Sequence, residues 1–245
     1  DTYPAIKKAL SVCGGKHSMF MTKSESQDTT ESYDKVLPTV SLDGDIAIIK
    51  LPDFLVTAED FLGTAEAGQK YAKVAEDFIH ENRDKIKGVV LDLRGNIGGD
   101  MGPMATAVSS LLPDGELVYY HYRSYDIPVT LKNGVVSNAG TGGRSLYPEE
   151  KLNVPVAILT DGMTASSGEA LTLCFRGLEN TRTFGAPTAG YTSVNMLYNM
   201  YDGAQMYLTV AFDKARTGEI FKETPIEPDV ATDSPLEAAI EWLRG

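Results

Sequence analysis

The residues best suited to chemistry stand in Thr164-Ala165-Ser166-Ser167-Gly168-Glu169, between the apolar run Val154 to Leu159 and an apolar helical stretch ending near Leu178. A serine at a strand-to-helix junction can present its oxygen to a crevice that the first helical N–H groups also face. Those donors lack intrahelical acceptors and, helped by the positive end of the helix dipole, can stabilise an oxyanion. The same hydroxyls also serve as ordinary N-caps. The hexapeptide alone leaves both uses open.

A second turn, Arg94-Gly95-Asn96-Ile97-Gly98-Gly99-Asp100, follows the apolar run Gly88 to Leu93 and opens a helical stretch through Leu112. Gly98-Gly99 lets backbone approach a substrate closely and offer it a further amide. The turn lacks both glycine spacings of nucleotide-binding loops, which argues against phosphate binding. A serine hydroxyl is a poor nucleophile until a base takes its proton. Of the three histidines, His80 lies in an amphipathic helical pattern and His121 in strand-like VYYHYRS, so both read as packing residues. His17, in Gly14-Gly15-Lys16-His17-Ser18, occupies a glycine-rich loop of the kind that displays functional side chains. Its imidazole can accept the serine proton and return it to a leaving amine.

The elements that must position these residues follow from periodicity. Residues 3–12 read as a helix stopped by Gly14-Gly15, residues 22–43 as a loop, 44–51 as a strand and 64–82 as a helix. Strand, glycine-bearing turn and helix then occur twice, at 88–112 and 154–178, as crossover units of a parallel-type sheet. Ligands gather at the carboxyl ends of such strands, so both turns are expected to open onto one crevice. Short strands are expected at 117–122 and 127–131, with a hairpin signal at Asn133-Gly134, and at 194–201 and 205–212 around Asp202-Gly203. Residues 134–150 read as a surface excursion or lid, and 235–243 as a closing helix.

Composition narrows the partners. With 42% apolar and 23% charged residues, the 245-residue chain reads as one large or two modest globular domains. A net charge of -12 repels polyanions, which argues against nucleic acid, and attracts cationic peptides, although acidity also simply keeps proteins soluble. No apolar run reaches the roughly 18 residues of a membrane span, and no signal peptide is evident. The start at Asp1, without methionine, suggests a trimmed or mature ectodomain. Cys13 and Cys174 match no metal-ligand spacing and no disulfide framework, and Cys174 reads as a buried thiol.

Four ordered segments resemble one family. Leu91 to Gly99 resembles the "DLR-x-N-x-GG" signature of tail-specific, C-terminal-processing serine peptidases, and TASSGE resembles their "SASASE"-type nucleophile turn. Gly185 to Gly190 (GAPTAG) is similar to their "G-x-P-T-x-G" segment and Ile226 to Val230 (IEPDV) to their "GI-x-PD-x-x" segment. The resemblance implies an α/β, crotonase-like (ββα) protease core with a mainly parallel sheet, crossover helices and additional β-hairpins. It implies Ser166 as nucleophile and the amides of Gly99 and Ser167, with Gly98 beside them, as the oxyanion hole. No cofactor or metal is called for.

Where the bacterial Ser/Lys members carry their lysine, this chain has Tyr191. The tricorn-like and nisin-resistance branches use a histidine instead, in an "HS/HT" motif that His17-Ser18 resembles, which implies His17 as base. The glutamate that precedes the "PD" segment in tricorn-like members has its nearest match in Glu223, as a group orienting His17. In this reading residues 1–43 form an N-terminal helix and loop carrying the base, residues 44–245 form the peptidase core, and no PDZ domain is inserted. The implied substrate is a peptide or protein C-terminal tail, cationic in the nisin-resistance branch, bound in a groove walled by residues 22–43 and 134–150. That branch places the enzyme outside the cell or in its envelope, with an anchor or signal segment missing from the chain. The rival readings are an inactive relative of the same fold, binding retinoids or peptides, and an acyl-CoA enzyme of the crotonase type.

Overall fold

A computed structural model of the chain describes residues 2–26, 36–55 and 64–245. Its first elements are helix α1 (Tyr3–Cys13), strands β1 (Met19–Met21), β2 (Thr39–Asp43) and β3 (Ile46–Lys50), helix α2 (Thr64–Asn82) and strand β4 (Gly88–Asp92). Helix α3 (Met101–Ala107) leads to strands β5 (Gly115–His121), β6 (Asp126–Lys132), β7 (Val135–Ser137), β8 (Gly143–Arg144) and β9 (Val156–Thr160). Then come helix α4 (Ser167–Phe175), strands β10 (Thr181–Gly185), β11 (Ser193–Asn199), β12 (Gln205–Ala215), β13 (Ile220–Phe221) and β14 (Val230–Ala231), and helix α5 (Pro235–Arg244).

One sheet runs in the order β14-β10-β9-β4-β3-β2, with parallel neighbours except for the antiparallel pair β2 and β3. At its centre the continuous apolar runs of β4 and β9 serve both faces. Val89, Leu91, Val156 and Ile158 join the core shared with α2, α3 and α4, while Val90, Ala157 and Leu159 pack in the second core with Ala239 and Trp242 of α5. Helices on both faces demand apolar residues at successive positions rather than alternate ones. At roughly 1.5–3 kcal/mol per buried aliphatic side chain, this burial fixes the two strands side by side. The turns that leave their carboxyl ends are thereby neighbours.

The second sheet is antiparallel, in the order β1-β12-β5-β6-β7-β8, with β11 and β13 also on β12. The sequence suggested one mainly parallel sheet with hairpins attached, whereas the structure joins those hairpins into a sheet of their own. The 11 residues of β12 make this possible, because its first half pairs with both β1 and β11 and its last residues pair with both β5 and β13. The pairing of β1 with β12, reinforced by the Thr209 N–H donated to Ser18 Oγ at 2.9 Å, holds the loop that carries His17.

Two segments depart from the sequence reading. Residues 39–43, expected within a loop, form β2, and Asp43-Gly44 is the hairpin signal that expectation overlooked. Residues 27–35 of the same loop lie outside the described residues. Residues 134–150, expected as a surface excursion or lid, are folded down onto the body. Asp100 accepts the Thr141 N–H at 3.1 Å and its hydroxyl, and Glu76 Oε1 accepts the Leu146 N–H at 3.1 Å. No helix among the described residues is long and apolar enough to cross a membrane.

Candidate active site

Strand β9 ends at Thr160 and α4 begins at Ser167, so residues 161–166 make the turn between them. Two hydroxyls at this junction are committed to the segment that follows β4. Thr164 Oγ1 donates to Leu93 O at 2.9 Å, and Ser167 Oγ donates to Gly99 O at 2.6 Å. The hydroxyl of Ser166 donates to no acceptor among the described residues. Its backbone sits at φ 52° and ψ -118°, a conformation that costs an L-residue on the order of 1–3 kcal/mol. Two contacts hold it there: Ser166 N–H to Glu169 Oε2 at 2.9 Å, and Ala165 N–H to Asn96 O at 2.9 Å.

The glycine turn is shaped from below. Arg94 grips Asp92 with two hydrogen bonds of 2.8 Å, and buried Asn96 donates to Leu51 O at 3.0 Å while its Oδ1 accepts the Gly98 N–H at 2.9 Å. Gly98 and Gly99 lie at φ 108° and 101°. A methyl group on Gly98 would stand 2.8 Å from Ser166 Cβ, and one on Gly99 2.1 Å from Phe54 O. Only glycine permits this approach. Of the three residues expected around the oxyanion, Gly98 has its N–H already bonded to Asn96, and its contribution is to bring the turn against Ser166. The N–H groups of Gly99 and Ser167 have no acceptor among the described residues.

Helix α1 ends with the Gly14 N–H donated to Leu10 O at 2.8 Å, and Gly15 at φ 78° turns the chain toward Glu223. That carboxylate accepts the N–H of Lys16 at 2.7 Å and of His17 at 3.1 Å. His17 Nδ1 lies 3.0 Å from Ser193 Oγ, which donates to Glu223 Oε1 at 3.3 Å. Glu223 thus reaches the imidazole through a hydroxyl. This direction of donation puts the ring proton on Nδ1 and leaves a lone pair on Nε2, which has no partner among the described residues. The Tyr191 ring lies edge-on to the imidazole with centroids 5.2 Å apart, and Lys16 Nζ stands 4.5 Å from the centre of the same ring.

Burial lowers the His17 pKa below the ordinary imidazole value, against smaller upward contributions from Ser193 and Glu223. Burial pushes the Glu223 carboxyl up, but the amides of Lys16 and His17 with the hydroxyls of Thr209 and Ser193 outweigh it and hold the pKa below the usual value. Near neutral pH the pair is therefore a neutral imidazole beside a charged carboxylate. That is the state a general base requires.

Sequence reasoning missed three contributors. Ser193 begins an alternating strand, and nothing local ties it to a histidine 176 residues away. Asn96 offered only a motif position. Glu169 served as a landmark for the serine, although Ser166-Ser167-Gly168-Glu169 has the S-x-x-E spacing of a capping box. The structure gives Glu169 more than a cap. Fully buried, it accepts Thr188 Oγ1 and the Gly190 N–H (2.8 Å) on Oε1, and the Ser166 (2.9 Å) and Tyr191 (2.7 Å) N–H groups on Oε2. Charge-assisted bonds contribute roughly 1.5–3 kcal/mol each and offset part of the several kcal/mol that burying a carboxylate costs, and burial still holds the Glu169 pKa above its ordinary value. The other histidines have carboxylate partners of their own, His80 with Glu150 at 2.9 Å and His121 with Asp126 at 2.6 Å.

Comparison with known proteins adds four likenesses to this geometry. The profile of peptidase family S41 matches residues 45–232. The chain is 37% identical over 245 residues to the nisin-resistance protein of Lactococcus lactis subsp. lactis, covering 100% of this chain and 74% of that protein. It is 28% identical over 173 residues to the carboxy-terminal processing protease CtpA of Bacillus subtilis, covering 70% of this chain but only 34% of that protease. Among solved structures, a lipoprotein from Streptococcus agalactiae superposes with a TM-score of 0.82 at 30% identity, over 98% of this chain and 80% of that one.

Proposed function

Because the chain belongs to peptidase family S41, we propose that this serine-type peptidase works through an acyl-enzyme on Ser166, with His17 as base and Glu223 orienting it through Ser193. The observation that carries the assignment is Ser166 itself, held at φ 52° with a hydroxyl that donates to nothing among the described residues, beside two amides likewise without acceptors there. Strain of this kind persists where the surroundings over-determine it, as at nucleophile turns.

In the reaction, Ser166 Oγ adds to the scissile carbonyl carbon as His17 Nε2 takes its proton. The carbonyl oxygen becomes an oxyanion received by the Gly99 and Ser167 N–H groups, and the loss of one such donor typically costs about 2.7–4 kcal/mol of barrier. Collapse breaks the C–N bond, and the amine leaves with the proton from the imidazolium. Water then adds to the acyl-enzyme with His17 again as base, releasing the new carboxyl terminus and restoring Ser166. The amides at the carboxyl ends of parallel β4 and β9 suit a crotonase-like core, with residues 1–43 supplying the base and 44–245 the remainder.

The substrate we assign is a cationic peptide cut near its C-terminus. Support comes from the net charge of -12, from the Lactococcus relative named for nisin resistance and from the carboxy-terminal processing relatives. The chain spans 34% of the Bacillus protease, so tail specificity is tested on this chain directly. Similarity to a lipoprotein supports a position at the cell envelope. Ser166→Ala is expected to abolish peptide cleavage and fluorophosphonate labelling while leaving the circular dichroism spectrum intact. Undiminished turnover by that variant overturns the assignment.

A further inference from the structure

We infer that Glu169 is a positioning residue which sets the nucleophile in register with the imidazole, an inference that rests on the roles given to Ser166 and His17 above. The contact that carries it is shared by one atom. Glu169 Oε2 accepts both the Ser166 N–H at 2.9 Å and the Tyr191 N–H at 2.7 Å. On one side of that oxygen lies the nucleophile. On the other lies the segment whose Tyr191 ring touches the imidazole and whose Ser193 hydroxyl meets Nδ1 at 3.0 Å. The second oxygen clamps the same segment through Thr188 Oγ1 and the Gly190 N–H.

A helix cap alone needs only the Ser166 contact, and a surface position would satisfy it. Three further donors, all from residues 188–191, and complete burial mark a different task. Three of the four contacts are backbone N–H groups that can only donate, and the Thr188 hydroxyl donates as well, so the carboxylate offers every one of them an acceptor, whereas an amide turns its own N–H groups against backbone donors on one side. The charged form is the one the site accommodates. Asp213, buried on β12, is consistent with this. Burial and the Glu169 charge push its pKa up to about 8, so near neutral pH Asp213 keeps its proton and adds no second charge beside Glu169, whose own pKa burial raises.

Glu169→Gln is the test, because it keeps the volume but leaves one acceptor oxygen for four donors. We expect kcat to fall on the order of 100-fold, the scale of a displaced catalytic group, with KM within about threefold of the parent. Fluorophosphonate labelling of Ser166 slows in parallel, and the acid limb of the kcat/KM profile moves because the Tyr191 segment against His17 has shifted. A kcat within threefold of the parent overturns the inference, as does a loss that matches the loss of folded protein while the acid limb stays in place. If Glu169→Gln does not fold, Thr188→Val removes one donor and is expected to lower kcat about five- to tenfold at unchanged KM. Unchanged kcat in that variant overturns the inference equally. Ser166→Ala assayed alongside separates the outcomes, since turnover surviving there removes the catalytic reading itself rather than the role of Glu169.

Discussion

Ser193 Oγ lies 3.0 Å from His17 Nδ1 and gives its own proton to Glu223 Oε1 at 3.3 Å, so a hydroxyl occupies the place where a triad carboxylate would touch the imidazole. The arrangement fixes the tautomer while keeping the carboxylate one bond removed. Ser193→Ala leaves Nδ1 without its partner and the ring free to turn. Steady-state kinetics should show kcat lowered by about 10- to 100-fold, part of the contribution of a positioned base, against complete loss in Ser166→Ala. Wild-type kcat in Ser193→Ala would show that the imidazole is oriented by its other neighbours.

The pH dependence follows from burial of the same ring. Desolvation disfavours imidazolium, so the His17 pKa lies below 6.5 and the base stays neutral into mildly acid solution. The acid limb of kcat/KM is therefore expected below pH 6.5. Glu223 contributes an upward pull on that pKa, and Glu223→Gln removes it, moving the limb further toward acid. A profile recorded with both enzymes checks the sign, and an upward displacement contradicts the geometry.

The glycine turn allows strain to be separated from contact. Gly95 and Gly98 both sit at positive φ, 75° and 108°, yet a methyl on Gly95 meets nothing within 4 Å, while one on Gly98 stands 2.8 Å from Ser166 Cβ. Either alanine variant should lose about 1–3 kcal/mol of stability through its backbone alone. Only Gly98→Ala displaces Ser166, so its kcat should fall at least tenfold further than that of Gly95→Ala. Urea unfolding with parallel kinetics measures both quantities.

Much of this site is written locally in the chain. The apolar runs at 88–93 and 154–159 announce two buried strands, and the glycine pair and the serine turn follow them directly, so the pairing of the turns is a consequence of sheet topology. His17 shows itself by its glycine-rich setting after a helix. What the chain does not announce is contact at long range. Ser193 meets His17 only because the β11–β12 hairpin pairs with β1, and the Glu169 clamp exists only once the segment after β10 folds over α4. The second sheet was hidden for the same reason, since a hairpin signal specifies its own two strands and says nothing of what joins them laterally.

Asp213 offers a test on stability instead of turnover. It is 2% exposed on β12, opposite Tyr120 of β5, and its N–H is donated to Thr192 O at 3.1 Å, next to the segment that carries Tyr191 and Ser193. Its pKa is raised from 3.8 to about 8, first by burial and then by the charge of Glu169. The folded state therefore keeps a proton that the unfolded chain gives up, and stability falls with rising pH wherever the folded state binds more protons. The contribution is fully present below 3.8 and is lost as pH climbs through about 8. A carboxamide cannot ionise, so in Asp213→Asn this slope disappears, while the slopes of the same sign from Glu169 and Glu76, whose pKa values burial also raises, remain in both proteins. Urea unfolding at about pH 5 and about pH 8.5, on either side of most of that loss, should show a smaller fall in stability between the two conditions in the variant than in the parent. An equal fall in both would mean that Asp213 is already ionised in the folded state.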